Sequence, residues 1–318
     1  MHSLMTKLGL GLAAVLAAVH AAGAEELKTI RLSRAVESIS TLPVIIAQEK
    51  GMFEKNGLKV EIIDFKGGAP AVQAIVAGDV EGCLCAGDHV VNLTSRGFPA
   101  KIFISLSDKH GYTLMGPAGS TATDLKSLKG QRIGVTSAGS QTDNTLRYDL
   151  REKGMDADSD VQIISVGTGG PMQAVIKSGA IVAGMFPSPF TEQNIRDGLK
   201  MIVDYRVYSY PSLTVLGLDK WLQGHKDTAK KFVDTLRTAQ QMVKADKSLA
   251  LEAAHKLFPT MDDALLNVVV DHFLAHNIPD RGIPDPKGFK LMNDMVNMAD
   301  NTTRPVPYEK GVALEILK

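Results

Sequence analysis

The chain has little cysteine, no excess of charge of one sign and, after its first 24 residues, no long apolar run. Its 35 basic side chains equal its 35 acidic ones in number, whereas nucleic-acid-binding domains are usually strongly basic, so that class is disfavoured. A membrane-spanning helix needs about 18 or more consecutive apolar residues, and the nearest candidate, residues 72–84, is interrupted by Asp79 and Glu81. The sequence therefore predicts a soluble mature protein, with enough residues for two domains.

The two cysteines, Cys83 and Cys85, are separated by one residue on a predicted strand, so their side chains share a face. A disulfide across a single intervening residue is strained, and a metal site would need further ligands. The sequence therefore favours two buried thiols that pack as small apolar side chains, with neither a disulfide nor a metal.

Motifs of catalysis are absent, since the sequence contains no GxSxG, no Walker loop and no complete GxGxxG. Asp88 and His89 could form an acid/base pair, but no partnered serine or cysteine can be argued, and a solvated loop or a ligand contact is favoured. His272 and His276 lie four apart on a predicted helix, yet the glutamate of HExxH is missing. They are interpreted as surface or helix-end residues, and the sequence predicts neither an enzyme nor a cofactor.

The first 24 residues differ in character from the rest of the chain. Lys7 is their only charged residue, residues 8–19 are apolar or Gly/Ala, and Ala22-Gly23-Ala24 has the small-x-small pattern of a cleavage site. This pattern indicates a secretory signal peptide, residues 1–24, cleaved near Ala24; a buried N-terminal helix is the alternative. Because no cysteine follows the cleavage point, a lipid-anchored protein is not expected.

From residue 27 onward, strand-like and helix-like segments alternate in βαβαβ order, and the order restarts after a loop near residues 116–123. This alternation predicts an α/β fold with mostly parallel sheets covered on both faces. The predicted strands are residues 29–32, 58–65, 80–85, 101–106, 132–135, 161–166, 181–186, 201–204 and 213–216. The predicted helices are residues 42–50, 70–77, 90–96, a stretch ending near 153, 171–177, 190–197, 226–245, 249–257, 262–276 and 287–298.

One segment occurs twice, as GGAPAVQAIVAGDVEG at residues 67–82 and as GGPMQAVIKSGAIVAG at residues 169–184. Each copy leads from a glycine pair through a proline into a helix that stops at a glycine before an apolar run. Because each copy takes the same place in its βα block, the repeat predicts two similar lobes.

Glycine turns before three predicted helices indicate where a ligand binds. A strand that opens through glycine into a helix exposes backbone N–H groups, which favour an anion or a polar acceptor. Such turns occur at residues 67–69, 168–170 and 138–142, and Ser140 could both cap its helix and contact a ligand. Since ligands of open α/β sheets bind beyond the carboxyl ends of the strands, the turns predict a binding site there.

Four segments carry a resemblance to a known family, over the mature chain to about residue 210. They are PVIIAQEKGMF (43–53), GLKV (57–60), VAGDV (76–80), and DLKSLKGQRIGV (124–135) followed by Gly139-Ser140. On these residues the chain resembles the periplasmic solute-binding proteins of the nitrate/sulfonate/taurine ABC importer group, which includes thiamine-precursor-binding relatives.

The resemblance implies a type II periplasmic binding protein, in which two α/β lobes joined by two crossing segments close on a small molecule. Lobe 1 would comprise residues 25–112 and 209–318, with the helical C-terminal tail packed on it, and lobe 2 residues 113–208. The hinge would lie near residues 109–116 and 205–212. An ABC permease with its ATPase in the inner membrane would recognise the closed form of this periplasmic monomer.

Carried over position by position, the resemblance implies a ligand site that both lobes share. Its residues would be Arg34, Ser38, Ser40, Thr41, Gly68, Ala69, Gly87, Asp88, Ser140, Gln141, Thr142, Gly169, Gly170, Pro187 and Ser188. Arg34 could pair with an acid group of the ligand, or it could be a solvated loop charge. The chain departs from the family after both repeat helices: Glu81 stands where the family usually has an Asp, and Val182 occupies the equivalent place in the second repeat.

The expected ligand is a small organic anion, such as a sulfonate, a taurine-like molecule or an aromatic carboxylate. Two alternatives stay open: a neutral pyrimidine or thiamine precursor as the ligand, or an enzyme that resembles the thiamine-pyrimidine synthases on the same scaffold. Those enzymes are cytosolic, so the signal peptide argues against the enzyme.

Overall fold

The computed structural model describes residues 26–318; the predicted signal peptide lies outside them. The strands are β1 (Lys28–Arg34), β2 (Leu58–Asp64), β3 (Gly82–Cys85), β4 (Ala100–Lys109), β5 (Tyr112–Gly116), β6 (Arg132–Val135), β7 (Gln162–Ser165), β8 (Ala183–Pro187), β9 (Lys200–Asp204) and β10 (Ser209–Leu218). The helices are α1 (Leu42–Glu49), α2 (Met52–Lys55), α3 (Gly68–Ala77), α4 (His89–Ser95), α5 (Gln141–Glu152), α6 (Gly170–Lys177), α7 (Phe190–Arg196), α8 (Asp219–Gly224), α9 (Lys226–Ala245), α10 (Lys247–Leu257), α11 (Asp263–His276), α12 (Pro286–Ala299), α13 (Tyr308–Gly311) and α14 (Leu314–Leu317).

Two five-stranded sheets share one topology, with strand orders β2-β1-β3-β10-β4 and β7-β6-β8-β5-β9. The parallel pairs are β1 with β2 and β3, and β6 with β7 and β8. One strand of each sheet runs against its neighbours, β10 in the first and β5 in the second. The prediction of two similar α/β lobes with mostly parallel sheets is confirmed.

The strand sequences fit their places in the sheets. β3 reads GCLC and is buried along its whole length, as is typical of a strand covered on both faces. β2 lies at the sheet edge, where Leu58 and Val60 are buried and the side chains near the end of the strand are exposed. Predicted segments 132–135 and 226–245 have the observed bounds of β6 and α9, whereas predicted strand 213–216 is the middle of the longer β10.

The two sheets are connected by two short crossings that lie side by side. Residues 110–111 join β4 to β5, and residues 205–208, which include a 3₁₀ turn, join β9 to β10. Both crossings fall within the predicted hinge ranges. This strand membership fits lobe limits at residues 25–112 with 209–318 and at 113–208, which stay a prediction.

The C-terminal helices cover the first sheet and also reach the second lobe. α9 packs on α1 and β4, while α10 and α11 pack on each other and, with α1, enclose a separate apolar cluster. α12 contacts both β10 and α5. The helical tail therefore packs on the first lobe as predicted, and α12 in addition bridges the lobes beside the crossings.

The cysteine prediction is half right. Cys83 and Cys85 are buried on β3, but the structure joins them in a disulfide, so the expectation of two free thiols is wrong. Their Cα atoms are 5.5 Å apart, within the range that a disulfide spans. The disulfide therefore joins two side chains on the same face of a single strand.

The histidine pair of α11, His272 and His276, has ring centroids 5.1 Å apart. Among the side chains that the structure describes, no group of three or more His, Cys, Asp or Glu residues is arranged to hold a metal ion. Over residues 26–318, no helix combines the length and apolar character needed to cross a membrane.

His110 is fully buried in the first crossing, among three tyrosine rings, with centroid distances of 6.0 Å to Tyr112, 5.4 Å to Tyr205 and 5.1 Å to Tyr210. The Tyr112 backbone N–H donates to Nδ1, so the ring proton is on Nε2 and is donated to the Thr145 hydroxyl at 2.9 Å. Burial lowers the pKa of His110 to about 3, although the Asp204 carboxylate acts in the opposite direction.

This buried imidazole predicts an acid sensitivity of the crossing. Below pH 6.5 the unfolded chain binds a proton at His110, whereas the native protein binds it only near pH 3. The free energy of unfolding therefore decreases by about 1.4 kcal/mol for each unit by which the pH is lowered. We therefore expect the urea-unfolding free energies of wild type and His110→Gln to converge by about 1.4 kcal/mol for each pH unit between pH 6.5 and 4.5. His276→Gln, at an exposed residue, should keep the wild-type dependence; parallel curves for His110→Gln would contradict the assignment.

Candidate ligand-binding cleft

A cleft lies between the two lobes at the carboxyl ends of the parallel strands, and it contains an outer and an inner pocket. The outer pocket has a volume of about 420 Å³ and is lined by Ala35, Val36, Glu37, Asp64, Phe65, Lys66, Gly67, Thr136, Val166, Gly167, Thr168, Gly169, Gly170, Pro171 and Phe190. The inner pocket, about 20 Å³, is lined by Ala35, Val36, Gly68, Cys85, Ala86, His89, Tyr112, Thr136, Ser140, Gln141, Ser212 and Leu213. It has room for about one water molecule, so the lobes are closed here.

The repeat places two helix N-termini on opposite walls of the cleft. α3 begins at Gly68 and α6 at Gly170, each after a glycine with positive φ, 113° at Gly67 and 63° at Gly169. Side chains other than glycine rarely adopt such angles. The walls also touch: a Cβ at Gly67 would lie 2.7 Å from the Ser137 hydroxyl across the cleft. Glycine here therefore sets both the turn and the closeness of the lobes.

His89, the first residue of α4, provides the imidazole of the inner pocket. A Cβ at Gly68 would lie 2.1 Å from His89 Nε2, so the ring occupies the space that the missing side chain leaves. His89 is 2% exposed, and burial lowers its pKa more than the Asp88 carboxylate raises it. The imidazole is therefore neutral and can both donate and accept a hydrogen bond.

The corresponding first residue of α7 in the other lobe is Phe190. A Cβ at Gly169 would lie 2.9 Å from the Phe190 ring, which lines the outer pocket together with Phe65 and Val166. The same fold position thus carries an imidazole in one lobe and a phenyl ring in the other. The inner pocket therefore has a ring that can form hydrogen bonds, and the outer pocket has an apolar ring.

A cluster of hydroxyl groups stands where β6 leads into α5. The Thr136 hydroxyl lies 2.8 Å from that of Ser140 and 2.9 Å from that of Thr142, and Thr142 also accepts the Thr136 N–H. The Ser140 hydroxyl donates to the Ser137 carbonyl rather than capping α5, so the predicted capping role is wrong. The N–H groups at the start of α5 consequently have no side-chain cap.

Side-chain hydrogen bonds join the lobes behind the pockets. Asn144 Nδ2 donates to Asp88 Oδ2 at 2.8 Å, and the amide of Gln141 contacts the Ser212 hydroxyl at 2.9 Å. Asp88 is fully buried, and burial raises its pKa. The interpretation of Asp88 and His89 as a solvated loop is therefore wrong.

Arg34 is paired within its own lobe. Its guanidinium donates to both carboxylate oxygens of Asp64, at 2.5 and 3.0 Å, and lies 3.5 Å from Glu37. Both of these carboxylates line the outer pocket, whereas Arg34 itself does not. Lys66 is the cation among the lining residues.

Of the residues carried over from the family, five line the cleft and ten do not. Those that line it are Gly68, Ser140, Gln141, Gly169 and Gly170. Those outside the lining are Arg34, Ser38, Ser40, Thr41, Ala69, Gly87, Asp88, Thr142, Pro187 and Ser188. A Cβ at Gly87, for example, would meet Ile102, Pro211 and Met292 in the lobe interior.

Several residues that line the inner pocket are not among those predicted from the sequence, including Tyr112, Thr136 and Ser212. Tyr112 and Ser212 fall within the predicted crossing ranges. Because crossing segments in a two-lobed protein border the cleft, that position was a usable signal.

The acid that differs between the repeats lies away from the cleft. Glu81 accepts hydrogen bonds from Arg31, at 2.6 Å from both its backbone N–H and its guanidinium. In the second lobe the corresponding Val182 N–H donates to the Arg132 carbonyl. The Glu81 N–H likewise donates to the Arg31 carbonyl, so the backbone pairing is the same in both lobes. The lobes differ here in the Arg31–Glu81 ion pair, and these residues are outside the lining of both pockets.

The contact between Gly68 and His89 predicts an asymmetric response of the two repeats. Gly68→Ala would displace the imidazole and weaken binding of a cleft ligand at least about tenfold, measured by titration calorimetry. Gly170→Ala is the matched control, because a Cβ there meets nothing within 4 Å. The ¹⁵N shifts of the His89 ring should change in Gly68→Ala alone; equal effects of the two substitutions would contradict the assignment.

Comparison with known proteins identifies the family. Residues 23–257 match a model of the NMT1-like family. A 4-amino-5-hydroxymethyl-2-methylpyrimidine phosphate synthase of Uromyces fabae is 25% identical over 293 residues, 86% of this chain and 79% of that protein. YtlA of Bacillus subtilis, named as a binding protein, is 22% identical over 301 residues, 92% of this chain and 90% of that protein.

Solved structures show the same fold. A protein from Bordetella bronchiseptica superposes with a TM-score of 0.81 at 23% identity, covering 92% of this chain and 96% of that one. The periplasmic aliphatic sulphonate binding protein SsuA from Escherichia coli superposes with a TM-score of 0.68 at 12% identity, covering 91% and 99%. The fold is that of the periplasmic binding proteins, and by the match over residues 23–257 the chain belongs to the NMT1-like family.

Proposed function

We propose that this chain is the exported substrate-binding component of an ABC importer, which closes its two lobes on a small molecule and delivers it to a membrane permease. The observation that carries the proposal is the outer pocket, about 420 Å³ and lined by both lobes at the strand ends. Pockets of this size suit small organic ligands. The fold shared with the sulphonate binding protein supports the same role.

Within this role we propose a small organic anion as the ligand, such as a sulfonate, a taurine-like molecule or an aromatic carboxylate. The starts of α3, α5 and α6 present backbone N–H groups toward the cleft, and none has a side-chain cap. Lys66 adds a cation to the outer pocket, and Phe190 with Phe65 offers an apolar wall. A single acid group on an apolar body would match this lining.

A neutral pyrimidine is the second candidate ligand. It is favoured by the pairing of Arg34 with Asp64 and Glu37, which removes one cation and leaves two carboxylates in the lining. The neutral His89 imidazole and the Gln141 amide can exchange hydrogen bonds with ring nitrogens and amino groups. The Uromyces fabae relative is named for a pyrimidine phosphate.

Titration calorimetry on the mature protein separates these candidates. The panel contains taurine, an alkanesulfonate, benzoate and 4-amino-5-hydroxymethyl-2-methylpyrimidine, and we expect one of the anions to bind at one site with a Kd of about 1 μM or tighter. The radius of gyration from X-ray scattering should fall on binding, because ligand shifts the lobes toward the closed form. Binding of the pyrimidine alone would replace the anion; binding of no compound would contradict both ligand proposals.

An enzyme on the same scaffold is the remaining alternative, supported by the pyrimidine phosphate synthase relative. We expect each bound panel compound to be recovered unchanged after incubation with the protein, as judged by mass spectrometry. A new product that forms at a rate proportional to protein concentration would instead support the hypothesis that the chain is an enzyme.

Export is tested independently of the ligand. We expect the full chain, expressed in a Gram-negative host, to yield a periplasmic protein whose first residue is Glu25, because Ala22-Gly23-Ala24 fits the signal peptidase pattern. N-terminal sequencing and intact mass provide the measurement. Ala24→Asp should block cleavage; a periplasmic chain that keeps Met1 would refute the predicted site.

A further inference from the structure

A second cavity, remote from the cleft, lies on the flank of the first lobe. Its volume is about 280 Å³ and its lining residues are Arg237, Gln240, Gln241, Lys244, Ile278, Pro279 and Arg281. The cleft pockets share none of these residues. We call this cavity the basic flank pocket, because Arg237, Lys244 and Arg281 are the charged residues among the lining side chains that the structure describes.

The pocket is built by one face of α9 and by the segment that follows α11. Arg237, Gln240, Gln241 and Lys244 recur at the spacing that brings α-helical side chains to one face. The facing segment is anchored on β4, because the Asn277 carbonyl accepts the Asp108 N–H at 3.1 Å and Gly282 packs against Ile104.

Arg281 adopts an unusual backbone conformation at this pocket. With φ at 53°, it is the non-glycine residue with positive φ in the described part of the chain, and such angles are uncommon and costly for a residue with a Cβ. Arg237 Nε donates to the Arg281 carbonyl at 2.8 Å, and Arg237 also donates to the Leu317 carbonyl. The strained turn thus fixes the position of Arg281 beside Arg237.

Of the three cations of the pocket, Arg237 has a carboxylate partner among its described neighbours. Burial lowers the pKa of Arg237 and the nearby Arg281 lowers it further, while Asp234, 3.7 Å away, opposes them. Among the side chains that the structure describes, Lys244 and Arg281 form no ion pair. Cations held together in this way gain when an anion joins them.

We propose that the basic flank pocket binds a small organic oxyanion, with its phosphate or carboxylate group on Lys244 and Arg281 and its apolar body against Ile278 and Pro279. Gln241 also lines the pocket, and in this proposal its amide would donate a further hydrogen bond to the head group. This site does not depend on the proposed transport function, because it is separate from the cleft.

Phenyl phosphate and benzoate are the probes, one for each head group, titrated into the mature protein and followed by calorimetry and ligand-observed NMR. We expect at least one to bind, and the double substitution Lys244→Gln/Arg281→Gln to weaken it at least about tenfold. Lys226→Gln/Lys231→Gln removes the same charge from exposed positions of α9 outside the pocket and should leave the affinity unchanged.

Two further variants keep the outcome decisive. Arg281→Gly removes the guanidinium while relieving the positive φ, so it should fold and still lose affinity. Gly68→Ala should leave flank binding intact, which separates this site from the cleft. Failure of both probes to bind, or equal affinities in wild type and the Lys244→Gln/Arg281→Gln variant, would overturn the proposal.

Discussion

The pairing of β4 with β10 and of β5 with β9 is the constraint on which the cleft depends. Each pair is antiparallel and joins the strand that leaves a sheet to the strand that enters or returns to it. Neither crossing can therefore move without the other, and relative motion of the lobes is confined to residues 110–111 and 205–208. His110, which is fully buried in the first crossing, packs against Tyr205 of the second crossing and against Tyr112. This contact adds a side-chain constraint to the backbone pairing.

Hydrogen bonds that are individually modest hold the lobes together, along with the packing of α12 on α5. The bonds from Asn144 to Asp88 and from Gln141 to Ser212 join the lobes directly, and each such bond contributes about 0.5–1.5 kcal/mol net. The buried Asp88 carboxyl offsets part of that gain, because its desolvation is unfavourable. The binding free energy of a ligand in the cleft can shift the balance between the open and closed arrangements of the lobes.

The two lobes have one topology but do not make a symmetric cleft. His89 and Phe190 occupy the same fold position, and each ring packs on a glycine at the start of a repeat helix. This exchange places an imidazole in the inner pocket and a phenyl ring in the outer pocket. The difference between Glu81 and Val182, by contrast, changes only contacts outside the cleft lining.

Periodicity, and backbone conformations that glycine alone adopts readily, were enough to predict the element order, the two lobes and the glycine turns. The bounds of β6 and α9 were predictable for that reason, whereas the ranges of both crossings came from the family resemblance. The lining of the site depends instead on the tertiary structure. Arg34 pairs with Asp64 rather than facing the cleft, and Gly87 packs inward. Tyr112 and Ser212 reach the inner pocket through the crossing of the chain. Contacts between side chains in the cleft depend on packing between segments that are far apart in sequence. The local sequence pattern does not specify how such segments pack.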